Sequence, residues 1–262
     1  IEQLAEQKLA LFNSKQLKIA VINLDDPILN NQIEQLKAKD IQIISFSKDQ
    51  DLIAKQNNNT KPDLSASNVS SVQSVSGIVM QFTLHTPISD DIMAAPLIGE
   101  QAIENSVGAS ACALSVGAQP EDIKTGLIQV TPAKGRMYPY YLPDGKTLID
   151  DTYNSSFNSV IQAINTLSEL PGKRVLICST LSEVGAFAQD LHQKIAECIN
   201  TKAHNGMDFE KIIFTGEQEY IELIRKTVSK TCTQVEFINN HMEITSALEQ
   251  YLQDPLVKSI LV

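Results

Sequence analysis

The run Asp150-Asp151-Thr152-Tyr153-Asn154 puts two adjacent carboxylates directly after a strand-like segment and before a helix opened by Ser155 or Ser156. Loops at the carboxyl ends of strands are where α/β folds place ligands. Paired carboxylates there could hold a ribose, a Mg²⁺-bound phosphate or a lysine. Asp and Asn in such a run also serve plain turn chemistry, and both readings stay open. Gly135-Arg136 is a second candidate, since an arginine at a domain junction can clamp a phosphate or form a surface ion pair. Asn105 falls in the first turn of its helix, about 200° around from the Ile103 stripe. Its amide therefore faces away from the core, toward a ligand or toward solvent. Asn23, at a strand end beside Asp25-Asp26, is equally two-sided.

Several other chemistries are excluded. Gly145-Lys146-Thr147 and Gly172-Lys173 lack the glycine five residues earlier that a phosphate-cradling loop needs; Tyr140 and Leu167 stand there. No G-x-G-x-x-G follows a strand, and H-E-x-x-H and G-x-S-x-G are absent. The histidines His85, His192, His204 and His241 are scattered. His192, beside the apolar stripe of its helix, reads as a half-buried structural histidine. Cys112, Cys178, Cys198 and Cys232 are far apart and form no C-x-x-C, so neither a disulfide framework nor a metal site is expected. No catalytic side chain is assigned.

The elements that must position these residues follow from hydrophobic periodicity. Lys18 to Asn23 and Ile41 to Phe46 read as buried strands, with a helix between them carrying Leu29, Ile33 and Leu36. Ser47 to Ser76 is rich in Asn, Ser and Gln, with Asn57-Asn58-Asn59 at its centre, and reads as a loop or a pair of weak edge strands. Gly77 to Leu84 and Ile92 to Ile98 read as strands, and a helix carries Ile103, Val107, Ala111 and Leu114. Pro120 opens one more short helix. A domain boundary is expected near Thr131-Pro132, giving domains 1–131 and 132–262. After it comes a hairpin, Met137 to Leu142 and Lys146 to Ile149, turned at Pro143-Asp144-Gly145. Strands then alternate with helices. The helices carry Val160 to Leu167, then Val184, Phe187, Leu191, Ile195 and Ile199, then Tyr220 to Val228, then Ile244 to Tyr251. The strands are Arg174 to Cys178, Lys211 to Phe214, Val235 to Ile238 and Val257 to Val262. That alternation implies a mostly parallel sheet in a Rossmann-like domain.

Composition limits the partners. Of 262 residues, 43% are hydrophobic and 20% charged, and 21 basic against 31 acidic residues leave a net charge of −10. Neither a nucleic-acid binder nor an anionic-membrane binder is expected, because both would show a basic surplus or stripe. No apolar run approaches the roughly 18 residues that span a bilayer, and no leader is evident. A reduced, cytoplasmic protein is expected. Both ends look cut: Ile1 opens inside a helical pattern, and Ser259-Ile260-Leu261-Val262 closes the chain on a strand.

Taken in order, Val21-Ile22-Asn23-Leu24-Asp25-Asp26-Pro27, the stretch Gly99 to Gly117, Gly135-Arg136-Met137, Asp144 to Asn154, and Ser182-Glu183-Val184-Gly185 with His192 resemble the Mur ligases. The resemblance is nearest to the branch that adds D-Ala-D-Ala. It implies an α/β fold: the remnant of a P-loop-type central ATPase domain, then the Rossmann-like C-terminal domain. It implies an ATP- and Mg²⁺-dependent amide ligase of peptidoglycan synthesis whose full-length form has UDP-N-acetylmuramoyl-tripeptide and D-Ala-D-Ala as partners and acts as a monomer through an acyl phosphate. Asn105 would sit at the adenine, Arg136 and Asp151 near the nucleotide, and Asn154 in the same cleft. The family's P-loop and Mg²⁺ ligands would precede Ile1, so this chain alone is expected to be inactive. The family's His-Asn is Gln101-Ala102 here, and its Gly-Asp-Met is Ser179-Thr180-Leu181. Those changes keep open a rival reading, a degenerate nucleotide-binding or regulatory module without ligase activity.

Overall fold

The computed structural model describes residues 2–49, 61–74, 77–207, 209–228 and 235–262. The chain divides into two compact units, Ile1–Thr131 and Pro132–Val262. Among the described residues no helix is long and apolar enough to cross a membrane.

The first unit opens with α1 (Glu2–Leu9), a 3₁₀ turn, and β1 (Ile19–Asn23). Two short helices follow, α2 (Pro27–Asn30) and α3 (Ile33–Lys37), where the periodicity predicted one. The break falls at Asn31-Gln32, after the pair Asn30-Asn31, whose short amides compete with the backbone for hydrogen bonds and gain little from continuing a helix. Then come β2 (Gln42–Ser47), β3 (Leu64–Ser74), β4 (Gly77–His85), β5 (Asp90–Ala95), α4 (Glu100–Ser115) and α5 (Pro120–Ile128). The sheet order is β1-β2-β3-β4-β5, with β1, β2 and β3 parallel and β3, β4 and β5 antiparallel.

The Ser/Asn-rich segment, expected to be a loop or a pair of weak edge strands, contributes one eleven-residue strand, β3, which pairs with β4 along most of its length and with β2 only at Leu64 and Ser65. Propensity is overridden by its neighbour: the apolar β4, GIVMQFTLH, supplies the pairing surface, and Leu64 and Ala66 are buried against Met80, Phe82 and Leu84. Asn57-Asn58-Asn59 lies outside the described residues. One face of this sheet packs on α4 and α5 through Ile103, Val107, Ala111, Ile123 and Leu127. A second cluster joins Ala20 and Ile22 of β1 to Ile33 and Leu36 of α3.

The second unit runs β6 (Tyr138–Tyr141), β7 (Thr147–Asp150), α6 (Phe157–Glu169), β8 (Lys173–Ser179), α7 (Ala188–His204), β9 (Phe209–Thr215), α8 (Gln218–Val228), β10 (Val235–Phe237), α9 (His241–Gln253) and β11 (Val257–Leu261). Its sheet order is β10-β9-β8-β11-β7-β6, parallel throughout except for the β6–β7 hairpin. From β8 the chain steps to β9 and β10 at one edge, then returns to β11 on the other side of β8. That reversal leaves a crevice at the carboxyl ends of β8 and β11, the place where open α/β sheets bind ligands. Val184 and Phe187 do not open the long helix as predicted. They belong to a 3₁₀ turn over Gly185–Phe187, and Phe187 is exposed.

Candidate functional site

A cavity of about 530 Å³ occupies that crevice, lined among others by Asp151, Asn154, Ser179, Thr180, Thr215 and Val262. These residues come from the carboxyl ends of β7, β8, β9 and β11. Val160, Ile164, Leu176 and Ile244 supply its apolar walls, and no lysine or arginine is among the described lining residues. Cys178 also lines it, and burial pushes its thiol up to about 12. A thiol held protonated in this way is chemically inert wall.

Asp151 is the carboxylate of this cavity. Its backbone N–H donates to the Val262 carbonyl at 2.8 Å, fixing the loop to the end of β11. Its Oδ1 accepts from the Met137 N–H at 3.0 Å. Burial raises its pKa above the ordinary 3.8; the Met137 hydrogen bond lowers it, Asp150 raises it and Arg136 lowers it, in falling order of effect. Asp150 has the turn role: its Oδ1 accepts from the Thr152 N–H and hydroxyl at 3.2 and 2.7 Å.

Gly135-Arg136-Met137 is laced to the same loop. Tyr153 N–H donates to the Gly135 carbonyl at 2.9 Å, and the Arg136 guanidinium lies 4.4 Å from the centre of the Tyr153 ring. Gly135 has φ +74°, and a Cβ there would stand 3.0 Å from Tyr153 Cβ. Only glycine meets both demands without strain. The structure thus brings Arg136, Asp151 and Asn154 together in the second unit. Asn105 belongs to the first, exposed on α4.

Sequence reasoning quoted the loop after β8 for the family resemblance but assigned no site residue in it. Thr180 N–H donates to the Thr215 carbonyl at 2.9 Å, and Thr180 Oγ1 accepts from the Glu217 N–H at 3.0 Å. Leu181 N–H donates to His192 Nε2 at 2.8 Å, while His192 Nδ1 meets the Ala188 carbonyl at 2.6 Å and its ring stacks on Tyr220. His192 is therefore structural, but fully buried rather than half-buried. The signal available was positional: in an alternating β/α pattern every residue just after a strand lies at the same edge of the sheet.

In the first unit, Asn23 Oδ1 accepts from the Asp25 N–H at 2.9 Å and its Nδ2 donates to Glu104 Oε1 at 2.8 Å. Asp26 caps α2 by accepting from the Ile28 and Leu29 N–H groups. Asp25 accepts from the Ser47 hydroxyl at 2.6 Å and the Lys48 N–H at 2.9 Å. These residues border an open depression of about 590 Å³, yet their polar atoms are largely spent on one another.

Two family models account for most of the chain. The Mur ligase middle domain matches residues 1–113, and the Mur ligase glutamate ligase domain matches residues 135–259. The chain belongs to the Mur ligase family. Curated relatives include the UDP-N-acetylmuramoyl-tripeptide–D-alanyl-D-alanine ligase of Escherichia coli, 33% identical over 140 residues, covering 53% of this chain and 30% of that protein. The enzyme of the same name from Buchnera aphidicola (Acyrthosiphon pisum) is 30% identical over 177 residues, covering 68% of this chain and 36% of its own length. The fold is that of MurF from Acinetobacter baumannii, with TM-score 0.77, 23% identity, and 98% of this chain matched to 51% of that one. MurF ligase from Thermotoga maritima in complex with ADP superposes with TM-score 0.72 at 16% identity, covering 99% of this chain and 53% of that one. This Mur ligase chain thus spans about a third of those curated relatives and about half of those solved chains.

At its departures from the Mur ligase pattern the chain is locally satisfied. Gln101 donates to Glu104 Oε2 at 3.4 Å, and Ala102 is buried in the α4 packing. Thr180 fills the space above Gly216, where an added Cβ would overlap its Oγ1.

Proposed function

We propose that the whole protein containing this chain is an ATP-dependent ligase that joins D-Ala-D-Ala to a UDP-N-acetylmuramoyl-tripeptide in peptidoglycan synthesis. The names of the curated relatives support the reaction, and the ADP complex of the Thermotoga relative supports the nucleotide. Residues 1–131 then serve as the later part of the central domain and 132–262 as the C-terminal domain. The work takes place in the cytoplasm, by a monomer, with no nucleic acid or membrane as partner.

The observation that carries the reading is the switch-point cavity with Asp151 on its wall and Arg136 beside it. The donor set fits the nucleoside end of ATP. A carboxylate is an acceptor for sugar hydroxyls, and an apolar wall without lysine or arginine suits a neutral group rather than phosphates. Arg136, held on the Tyr153 ring, can counter phosphate charge at the rim. Asn154 lines the cleft, while a role for Asn105 at the adenine rests on the family resemblance alone. Bound ATP with Mg²⁺ supplies the phosphate that activates the tripeptide carboxyl as an acyl phosphate. The residues of this chain bind and orient, which is most of what such catalysis requires.

The test is calorimetric titration of ATP with Mg²⁺ into the full-length protein and its Asp151→Ala variant. Loss of one charge-assisted hydrogen bond predicts affinity lower by about 10- to 150-fold, with ligation falling in step. A variant that binds as tightly as the parent removes Asp151 from the nucleotide site. A parent that binds no nucleotide favours the degenerate regulatory module, to which Gln101-Ala102 and Ser179-Thr180 already point.

A further inference from the structure

The outer face of the first unit's sheet carries a separate constellation. His85 of β4 stands opposite Asp90 of β5, and Ser67 of β3 lies one same-face pair along from the Ser65–His85 pair. Ser67 Oγ is 2.7 Å from His85 Nε2, and His85 Nδ1 is 2.9 Å from Asp90 Oδ1. An ionised carboxylate can only accept, so Asp90 holds the ring proton on Nδ1. Nε2 is then left to accept the Ser67 hydroxyl proton. That is the arrangement in which an imidazole, oriented by a carboxylate, activates a serine.

Three further features distinguish it from a simple pin between strands. The His85 side chain keeps 20% exposure, sheltered yet reachable. The β3–β4 register is irregular between Ser67 and Ser70, and Asn68, next to Ser67, has φ +53°. Such bulges re-aim a side chain and recur beside active sites. Asn68 Nδ2 holds the bulge by donating to Thr83 Oγ1 at 3.2 Å. In the rung that contains Ser67, Thr83 is followed by Ile92, which is 62% exposed on the same face and gives an acyl chain an apolar footing.

We propose that Ser67 is an activated nucleophile toward small carboxylic esters, with His85 as its base and Asp90 orienting His85. Ser67 Oγ bonds to the acyl carbon as its proton passes to His85 Nε2. The bond from that carbon to the alcohol oxygen breaks, and the alcohol leaves with the proton. Water then attacks the acyl-serine, giving one proton to His85, which returns it to Ser67 as the acid departs. The proposal stands apart from the ligase reading, since it uses none of the same residues.

The 262-residue chain is incubated with a fluorophosphonate reporter and, separately, with p-nitrophenyl acetate. The expected result is one phosphonyl group on Ser67, located by peptide mass spectrometry, with fluoride as leaving group and no label on Ser67→Ala. His85→Gln should slow labelling and ester turnover by about 10²- to 10⁴-fold, the usual contribution of a positioned base, with an unchanged unfolding transition. Absence of label on the native chain overturns the proposal, as does equal labelling of His85→Gln; the trio then only pins β3 to β4 and β5. If His85→Gln does not fold, Asp90→Asn, changed at a 66% exposed side chain, decides on the same criterion of slowed or unchanged labelling.

Discussion

Two acidic pairs, Asp25-Asp26 in the first unit and Asp150-Asp151 in the second, each stand at the carboxyl end of a strand and precede a helix, and the fold uses them differently. In each pair one carboxylate serves the local backbone: Asp26 caps α2, and Asp150 binds Thr152. The other reaches to a neighbouring segment, Asp25 to Ser47 and Lys48, Asp151 to Met137. The difference lies in what is left over. Asp25 spends one oxygen on the Ser47 hydroxyl and the other on the Lys48 N–H. Asp151 spends Oδ1 on Met137, and among the described residues no donor meets its Oδ2. It also lies on a cavity at a topological switch point. Adjacent acids after a strand are thus a signature of the turn; a spare oxygen on a residue that lines a cavity is what makes a site.

This contrast can be broken by stability measurements. Asp25→Ala removes two hydrogen bonds to a charged group, from the hydroxyl of fully buried Ser47, which keeps the Asp49 carbonyl as acceptor, and from the Lys48 N–H. The expected cost is about 2–3 kcal/mol, read as a lowered urea midpoint and a melting temperature lower by several degrees. Asp151→Ala should cost less than about 1 kcal/mol, because the lost bond is offset by relief of a buried charge. If Asp151→Ala proves the more destabilising, Asp151 is a structural tie and Asp25 is not the better-satisfied acid.

Gly135→Ala sharpens the comparison from the backbone side. It forces a positive φ on an L-residue and drives its Cβ against Tyr153, so about 1–2 kcal/mol is expected. Gly145→Ala is the control: its φ is +80° but nothing lies within 4 Å of the added Cβ, so only the conformational cost of about 1 kcal/mol applies. Equal losses in the two variants, by urea titration, would mean that the Gly135–Tyr153 contact contributes nothing.

The second unit was largely legible because its strands are short apolar runs and each helix has one apolar stripe, so period alone separates them. The first unit was less so. The β3 sequence LSASNVSSVQS carries no strand signal of its own and exists because β4 beside it does. Asp151 could be picked out because it follows a strand, but the free oxygen that sets it apart depends on Met137, fourteen residues away in the other arm of the hairpin. Thr180, just after β8, and Thr215, the last residue of β9, are undistinguished until the two strands are laid side by side. Ser67, His85 and Asp90 meet only through strand register, which no spacing rule in the sequence encodes.

The smallest effect is the titration of Asp151 itself. Burial disfavours its ionised form, with the Met137 hydrogen bond opposing that, Asp150 adding to it, and Arg136 opposing it. The folded state therefore holds this proton more tightly than the unfolded chain. Its contribution to stability is fully present below the ordinary 3.8 and is lost as pH rises through the raised folded value. The stability of the parent minus that of Asp151→Asn should fall across the window just above 3.8, then level off. Asp151 is only partly buried, so a change of only a few tenths of a kcal/mol is expected. Urea midpoints of both proteins from about pH 3 to pH 7 would read it. Asp150→Asn should shrink the same step by removing the neighbouring negative charge. A slope of the opposite sign would mean that the Met137 N–H and Arg136 outweigh burial. Asp151 would then be held as firmly as Asp25, and the spare oxygen would no longer separate the two pairs.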